Sequence, residues 1–339
     1  MYSGRLYVVA IVYCHPMKLI NSAILIIPLL LSFSSQASWI NHEFKVMGTQ
    51  AKVKFWSELS ERQAEQVVES IVAEMQRIDN EMSPYKPTSL LSQINRNASK
   101  GWVVVTPELY HLFTTATKIS SLSHGAFDIT YASVGYQYNY REKVKPNKQF
   151  IAQHIQAIDY QAVELAKNKY QVRFTQPNVK VDLGGIAKGL AVKNCLQILR
   201  DSNVKHALVS AGGDTGLLGD KRGRDWIVGV KHPRASSQQA VVLPLNNEAI
   251  STSGDYERYF IEDGMRYHHI INPNTGDSAR EVLSVSVIGA DPVYTDALST
   301  TVFVKGLQKG LALIESIAGY EAIVIDKKLT LHFSSGLKN

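Results

Sequence analysis

The chain has 339 residues, 45% hydrophobic and 19% charged, an ordinary globular balance with enough length for one large domain or two lobes. Thirty-six basic residues against 30 acidic ones give a net charge of +6, dispersed without any run of Lys and Arg. That pattern gives a nucleic-acid-binding function little support.

At the N-terminus, Met17-Lys18 opens a short basic segment, and residues 20–31 are apolar apart from Asn21, Ser22 and Pro28. Ser35-Gln36-Ala37 then places small residues where a signal peptidase reads. The pattern predicts a signal peptide over residues 1–37, with Met17 as an alternative start, and a mature domain over 38–339. The apolar stretch is short for a transmembrane helix, which needs about 20 residues; an uncleaved anchor starting near Leu6 is the other reading. Of the two cysteines, Cys14 lies within this leader, so Cys195 has no intrachain partner and stability must come from the core. An exported, disulfide-free enzyme is consistent with a bacterial envelope.

The spacing predicts a strand over 49–56, entered from Met47-Gly48. Ala64, Val67, Ile71, Met75, Ile78 and Met82 recur at three- and four-residue steps, the apolar face of a long helix with Ser60 and Gln63 placed for a capping box. Ser83-Pro84-Tyr85-Lys86-Pro87 ends it. A short helix over 89–95, a strand over 102–105 and a second amphipathic helix capped by Thr106-Pro107 follow. Residues 131–150, rich in Tyr, Asn and Lys, read as an exposed excursion. Tyr131, Tyr136, Tyr138 and Tyr140 form either a binding wall or a loop that tolerates tyrosines, the loop being favoured.

Further strands are expected over 179–183, 207–210, 226–230, 241–245, 248–252 and 283–288, with helices over 186–199, from Thr295 towards Val304, and over about 306–318. Two short strands close the chain. Strands and helices come in mixed order without a regular βαβ repeat, which favours an α+β fold over a doubly wound sheet.

Five stretches bear chemistry. In the first, Arg266 to Gly276, a strand carries His268 and His269 to an Asn-Pro-Asn-Thr-Gly turn. Adjacent strand residues point to opposite faces, so a purely structural reading of the pair is open. In the second, Asp182-Leu183-Gly184-Gly185-Ile186-Ala187-Lys188-Gly189, a glycine elbow leads into a helix N-terminus that suits a phosphate, with Lys188 on the first turn. A plain glycine turn is the alternative. Asp296 and Thr300, one helical turn apart, suit a hard cation such as Mg²⁺, unless Asp296 only favours the helix dipole. Ser210–Asp214 and Ser251–Tyr256 are glycine-punctuated turns that either line a cofactor cleft or form simple hairpins. The set suggests an extended phosphorylated ligand. Gly-x-Ser-x-Gly, His-Glu-x-x-His and Cys-x-x-Cys are absent, which disfavours serine hydrolase, zinc protease and thiol redox chemistry.

Together these residues resemble the ApbE family, the bacterial FAD:protein FMN transferases. The resemblance spans roughly residues 43–335. It rests on Met47-Gly48-Thr49, Met82-Ser83-Pro84-Tyr85, Gly125-Ala126-Phe127-Asp128, Asp182–Gly189, Gly212-Gly213-Asp214, Ser251–Tyr256, His269–Gly276 and Thr295–Thr300, in that order. It implies largely antiparallel mixed sheets with packed helices, T-fold-like, with an FAD cleft between lobes. It also implies Mg²⁺-dependent transfer of FMN from FAD to a threonine hydroxyl of a target protein, with release of AMP. The FAD contacts it implies are Met47, Tyr85, Ala126, Phe127, Asp128, Asp182, Lys188 and Ile270. Asp296, Thr300 and the Gly185 carbonyl fall on its metal positions.

His269 is the expected general base or phosphate orienter, because a threonine hydroxyl needs a base near neutral pH; His268 is left structural. The expected acceptors are flavin-carrying subunits of membrane redox complexes facing the periplasm. Mg²⁺-dependent FAD hydrolysis to FMN and AMP is the neighbouring alternative, and a non-catalytic flavin-binding protein the third. Two departures stand out. No lipobox cysteine follows Ser35-Gln36-Ala37-Ser38, which favours a soluble or loosely membrane-associated periplasmic form, and Asn272 stands where family members often have Asp.

Overall fold

The computed structural model describes residues 37–338, so all of the expected leader except Ala37 lies outside the described residues. At the centre is an eight-stranded antiparallel sheet in which each strand neighbours the next one along the chain. Its strands are Ser38–Val46, Thr49–Ser57, Ala207–Ala211, Asp214–Leu218, Ala249–Gly254, Ser284–Gly289, Tyr320–Ile325 and Leu331–Phe333. Period-two alternation sorts their side chains. Val53, Phe55, Val209, Val285, Val287 and Val324 face one side, and Leu217, Ile250, Ile288 and Ile323 the other.

Helices Glu61–Met82, Ala187–Asp201 and Pro292–Lys305 supply buried residues to the first face. The hairpin Trp226–His232 with Ala235–Leu245 covers the second through Trp226, Val230 and Leu245. Each fully buried Val, Leu, Ile or Phe contributes about 1.5–3 kcal/mol. This is the expected α+β architecture.

Local signals hold closely for the helices. The Ser60–Gln63 capping box starts the first helix, Ser89 caps Leu90–Asn97, and Thr106 caps Pro107–Leu122 with proline in its first turn. Between helices Glu61–Met82 and Ala187–Asp201 the chain builds a smaller layer with a three-stranded sheet, Gln171–Phe174 lying between Val103–Val104 and Val163–Ala166.

Several expectations are corrected. Met47-Gly48 does not merely lead into a strand; it is the two-residue turn of a hairpin whose first strand, Ser38–Val46, was not anticipated. Both turn residues have positive φ, 51° and 70°, as a tight hairpin turn requires. Gly212-Gly213 is likewise a turn, and Asp214 begins a further strand. The helix expected from Thr295 starts at Pro292, because Asp291 accepts the Val293 N–H and caps it.

Residues 179–183 are extended but join no ladder. Side chains do the pairing instead. Asn95 accepts the Val181 N–H at 2.8 Å and donates to its carbonyl at 2.9 Å, and Ser133 accepts the Lys180 N–H at 3.0 Å. Residues 131–150 are exposed at 141–144 and 147–149, as an excursion should be, but their first part is packed. Val134, Tyr138 and Ile271 form a buried cluster with Tyr131, Tyr140 and Tyr267 packed on it, and the Tyr138 hydroxyl donates to the Gly276 carbonyl at 3.0 Å. Polar neighbours mask how much apolar area tyrosine rings bury.

Candidate functional site

The glycine elbow 184–186 delivers the N-terminus of helix Ala187–Asp201 onto the start of helix Pro292–Lys305. No side chain at the N-cap, Ile186, closes it. Asp296 does so from the other helix: its Oδ2 accepts the Gly189 N–H at 2.9 Å. Only glycine permits the crossing, since a Cβ at Gly189 would sit 2.2 Å from the Pro292 carbonyl oxygen.

Lys188 lies between two carboxylates. Its Nζ is 2.8 Å from Asp214 Oδ2 and 3.3 Å from Asp296 Oδ1, and it donates to the Gly184 carbonyl at 3.1 Å. Asp214 and Asp296 are both almost fully buried. The Lys188 ammonium is raised above its ordinary range: burial works against the charge, and the two carboxylates override it. Asp296 is pushed up by burial first and by the Asp214 charge second. Asp214 Oδ2 meets Lys188 as an ionic contact alone, without hydrogen-bond geometry.

Thr300 stands one turn after Asp296, with its hydroxyl 3.2 Å from Ser253 Oγ. The Gly185 backbone closes on it: a Cβ there would lie 3.4 Å from Thr300 Oγ1 and 3.3 Å from the Phe127 ring. The structure thus gathers Gly185, Lys188, Asp296, Thr300 and Phe127. Ser251 and Ser253, read as part of a turn, sit on strand Ala249–Gly254 and bond Thr295 and Ser299 at 2.9 and 2.8 Å, fixing that helix to the sheet.

Asp182 accepts the Gly184 N–H at 2.7 Å and faces the Tyr131 and Tyr136 side chains; burial raises its carboxyl above the usual range. Tyr85, 79% exposed, lies in the electrostatic neighbourhood of Tyr131, Tyr136 and Tyr140. Ala126 and Phe127 are buried beside this rim. Asp128 is already committed: its two oxygens accept from Thr130 N–H, Thr130 hydroxyl and Tyr160 N–H. Burial pushes its carboxyl up to about 6. Met47 packs on the core from its turn.

The two histidines differ in their hydrogen-bond partners. Strand Met265–His268 ends at His268, whose Nε2 donates to the Ala279 carbonyl at 2.6 Å while its Nδ1 accepts the Ile270 N–H at 3.3 Å. Both nitrogens are spent, the ring is neutral, and burial lowers it to about 4. His269 follows the strand and its N–H donates to the Arg258 carbonyl at 3.1 Å. Its Nδ1 is buried without a partner. Burial, then the neighbouring His268, Arg258 and Lys188, lowers the ring to about 3, so it is a neutral base at physiological pH. Ile270 is buried directly behind it.

Asp214, Arg258, Asn95 and the tyrosines around Asp182 complete this region. The Gly-Gly turn before Asp214 marks a close approach in the sequence; Arg258 carries no local signal.

The sequence profile described as the ApbE family matches residues 47–324. The FAD:protein FMN transferase of Treponema pallidum is 30% identical over 310 residues, 86% of each chain, and that of Haemophilus influenzae is 29% identical over 95% of this chain and 98% of its own. Among solved structures, the ApbE protein of Thermotoga maritima superposes with a TM-score of 0.82 at 32% identity, covering 89% of this chain and 98% of that one. The flavin transferase ApbE of Vibrio cholerae gives 0.81 at 25% identity, covering 89% and 99%.

Proposed function

The chain belongs to the ApbE family, and on that footing we propose that it transfers FMN from FAD to a threonine hydroxyl of an exported target protein, with release of AMP. One juxtaposition carries the reading. A neutral imidazole, His269, with its buried Nδ1 unpartnered, shares a neighbourhood with a helix N-terminus and the Lys188 ammonium, groups suited to a pyrophosphate.

The donors fit Mg²⁺. Asp296, the Thr300 hydroxyl and the Gly185 carbonyl are oxygen ligands, the set a hard cation accepts. Among the described residues no group of three or more His, Cys, Asp or Glu side chains could hold a metal, so soft-metal chemistry gains no support. Bound there, Mg²⁺ would neutralise charge on the pyrophosphate.

The chain's own groups do the rest. His269 accepts the proton as the threonine oxygen bonds to the flavin-side phosphorus, and the bridging oxygen leaves with AMP. Lys188, drawn towards the pyrophosphate, offsets its charge. Met47, Tyr85, Ala126, Phe127, Asp128, Asp182 and Ile270 form the flavin-side walls in this proposal. Export under the leader over 1–37, a flavin transferase domain over 38–339, a periplasmic location and acceptors among flavin-carrying subunits of membrane redox complexes belong to the same proposal. Their support is the basic, apolar and small-residue succession of residues 17–37.

The test mixes the protein with FAD, Mg²⁺ and an acceptor peptide bearing a threonine in an Asp/Ser-Gly-rich context. Mass spectrometry should find an FMN-sized adduct on the threonine. Free FMN and AMP without adduct would replace transfer by hydrolysis, and unchanged FAD would leave flavin binding alone.

A further inference from the structure

Arg258 follows strand Ala249–Gly254 by four residues and is exposed at the surface. Its carbonyl accepts the His269 N–H at 3.1 Å, which fixes the two residues side by side. Its guanidinium rests on the hairpin turn that carries Met47, with Nη2 3.3 Å from where a Cβ on Gly48 would lie. Its charge is felt by both His269 and Asp182.

The neighbouring arginines are spent. Arg234 grips both oxygens of Asp255 at 2.7 and 2.6 Å. Arg266 donates to the Asp255 carbonyl at 3.3 Å and lies over the Tyr259 ring, and Arg280 pairs with Asp277 at 2.9 Å. Among the ion pairs of the described residues, Arg258 has none. A guanidinium carries five N–H donors in a rigid fork and stays charged at every accessible pH. Left without a carboxylate beside a neutral base, it is matched to an anion that arrives with the ligand.

We propose that Arg258 binds the non-bridging oxygens of the flavin-side phosphate, the group that is transferred, while Lys188 serves the leaving half of the pyrophosphate. The proposal rests on the flavin-transfer reading and adds to it a residue for the transferred phosphorus. During transfer the threonine oxygen bonds to that phosphorus, the P–O bond to the AMP half breaks, and the hydroxyl proton passes to His269. No electrons change hands. Arg258 then meets charge on the two oxygens that stay with FMN, where a bidentate fork fits best.

The test compares riboflavin, which lacks the phosphate, with FMN, using flavin fluorescence and the full chain. The wild-type protein should bind FMN more tightly than riboflavin. Arg258→Gln should weaken FMN binding about tenfold or more, the scale of a charged hydrogen bond, and leave riboflavin binding unchanged. Arg258→Lys should keep part of the preference, since it retains the charge without the fork. Equal weakening of both ligands would show that Arg258 only shapes the cleft, and no change in either would also overturn the proposal. Should Arg258→Gln fail to fold, an Arg258→Lys protein with an undiminished preference for FMN would count against it. A wild-type protein that binds FAD but does not prefer FMN to riboflavin would overturn the Arg258 role alone; one that binds no flavin would overturn the flavin reading and this role with it.

Discussion

Lys188 Nζ and Asp214 Oδ2 lie 2.8 Å apart, and the same ammonium is 3.3 Å from Asp296. Two nearly buried carboxylates thus share one cation. Removing it leaves like charges in a low-dielectric site, whereas removing one carboxylate leaves a compensated pair. Lys188→Met should therefore destabilise the protein by about 2–4 kcal/mol in urea unfolding. Millimolar Mg²⁺ should restore part of that loss, because a divalent cation replaces the ammonium between the carboxylates. Asp214→Asn should cost less. A Lys188→Met protein as stable as wild type would mean that the carboxylates are not held charged.

The elements around this pair differ in how far their sequence announces them. The helix Ala187–Asp201, its glycine elbow and the Asp296–Thr300 face all follow from local periodicity and turn chemistry. The pairing of Lys188 with Asp214 joins residues 26 positions apart in the chain, and no spacing rule reaches that far. Residues 179–183 read as a strand, with Val179, Val181 and Leu183 buried, yet apart from the Asp182 N–H, which donates to the Ile129 carbonyl, their N–H partners are the Asn95 and Ser133 side chains. Period-two burial reports an extended backbone and says nothing about what bonds to it. The first strand, Ser38–Val46, was hidden for another reason: it is a sheet edge with only Val46 buried, so it lacks an apolar stripe.

Stability should respond to acid through the histidine pair. His268 and His269 titrate in the fold at about 4 and about 3, below the ordinary value of about 6.5. Above pH 6.5 both are neutral folded or unfolded and contribute no slope. As pH falls towards 4, the unfolded chain takes up protons that the fold refuses, so stability drops by up to about 1.4 kcal/mol per pH unit for each ring. Asp128, raised to about 6, works in the opposite direction, because the fold holds its proton more tightly than the unfolded chain does. The clean measurement is a difference: His268→Gln should reduce the slope of stability against pH between 4 and 6.5 by about one proton relative to wild type. An unchanged slope would contradict the buried neutral ring.

The same reading of His269 fixes where activity should fail. A base held near 3 remains neutral at pH 5–6, so kcat/KM for FMN transfer should show no acid limb at 6.5 from this residue. His269→Ala should lower kcat by about two to four orders of magnitude, the scale of general-base loss, with little change in FAD affinity. Transfer at the normal rate in that variant would remove His269 from the chemistry.

Asn95 tests whether the cleft depends on a side chain that touches no ligand. Its amide is hydrogen-bonded to both backbone groups of Val181, and Asp182 is the next residue. In Asn95→Ala the Val181 carbonyl keeps the Tyr136 hydroxyl at 2.8 Å, but the N–H is orphaned in a buried setting. The expected cost is about 1–3 kcal/mol. FAD affinity should fall as well, since Asp182 and the glycine elbow lose their fixed position. A stability loss with undisturbed FAD binding would show that the elbow is held from elsewhere.

Gly189 sets two familiar rules against each other. Replacing a helical glycine with alanine normally gains about 1 kcal/mol through propensity. Here the new Cβ would lie 2.2 Å from the Pro292 carbonyl oxygen, 2.8 Å from its carbon and 3.0 Å from the Asp296 Cβ. The first two are backbone atoms of a packed helix and the Cβ is fixed to that backbone, so none can swing away and the clash must separate the two helices. Separation also stretches the Gly189 N–H to Asp296 bond of 2.9 Å and pulls the carboxylate from Lys188. Sterics should win, with Gly189→Ala less stable by about 3 kcal/mol or more in urea unfolding. Gly101→Ala is the matched control. A Cβ there meets nothing within 4 Å and the backbone is not left-handed, so it should stay within about 0.5 kcal/mol of wild type or gain slightly. If Gly189→Ala instead proves as stable as that control, the two helices do not cross this closely, and the placement of Lys188 against Asp296 falls with it.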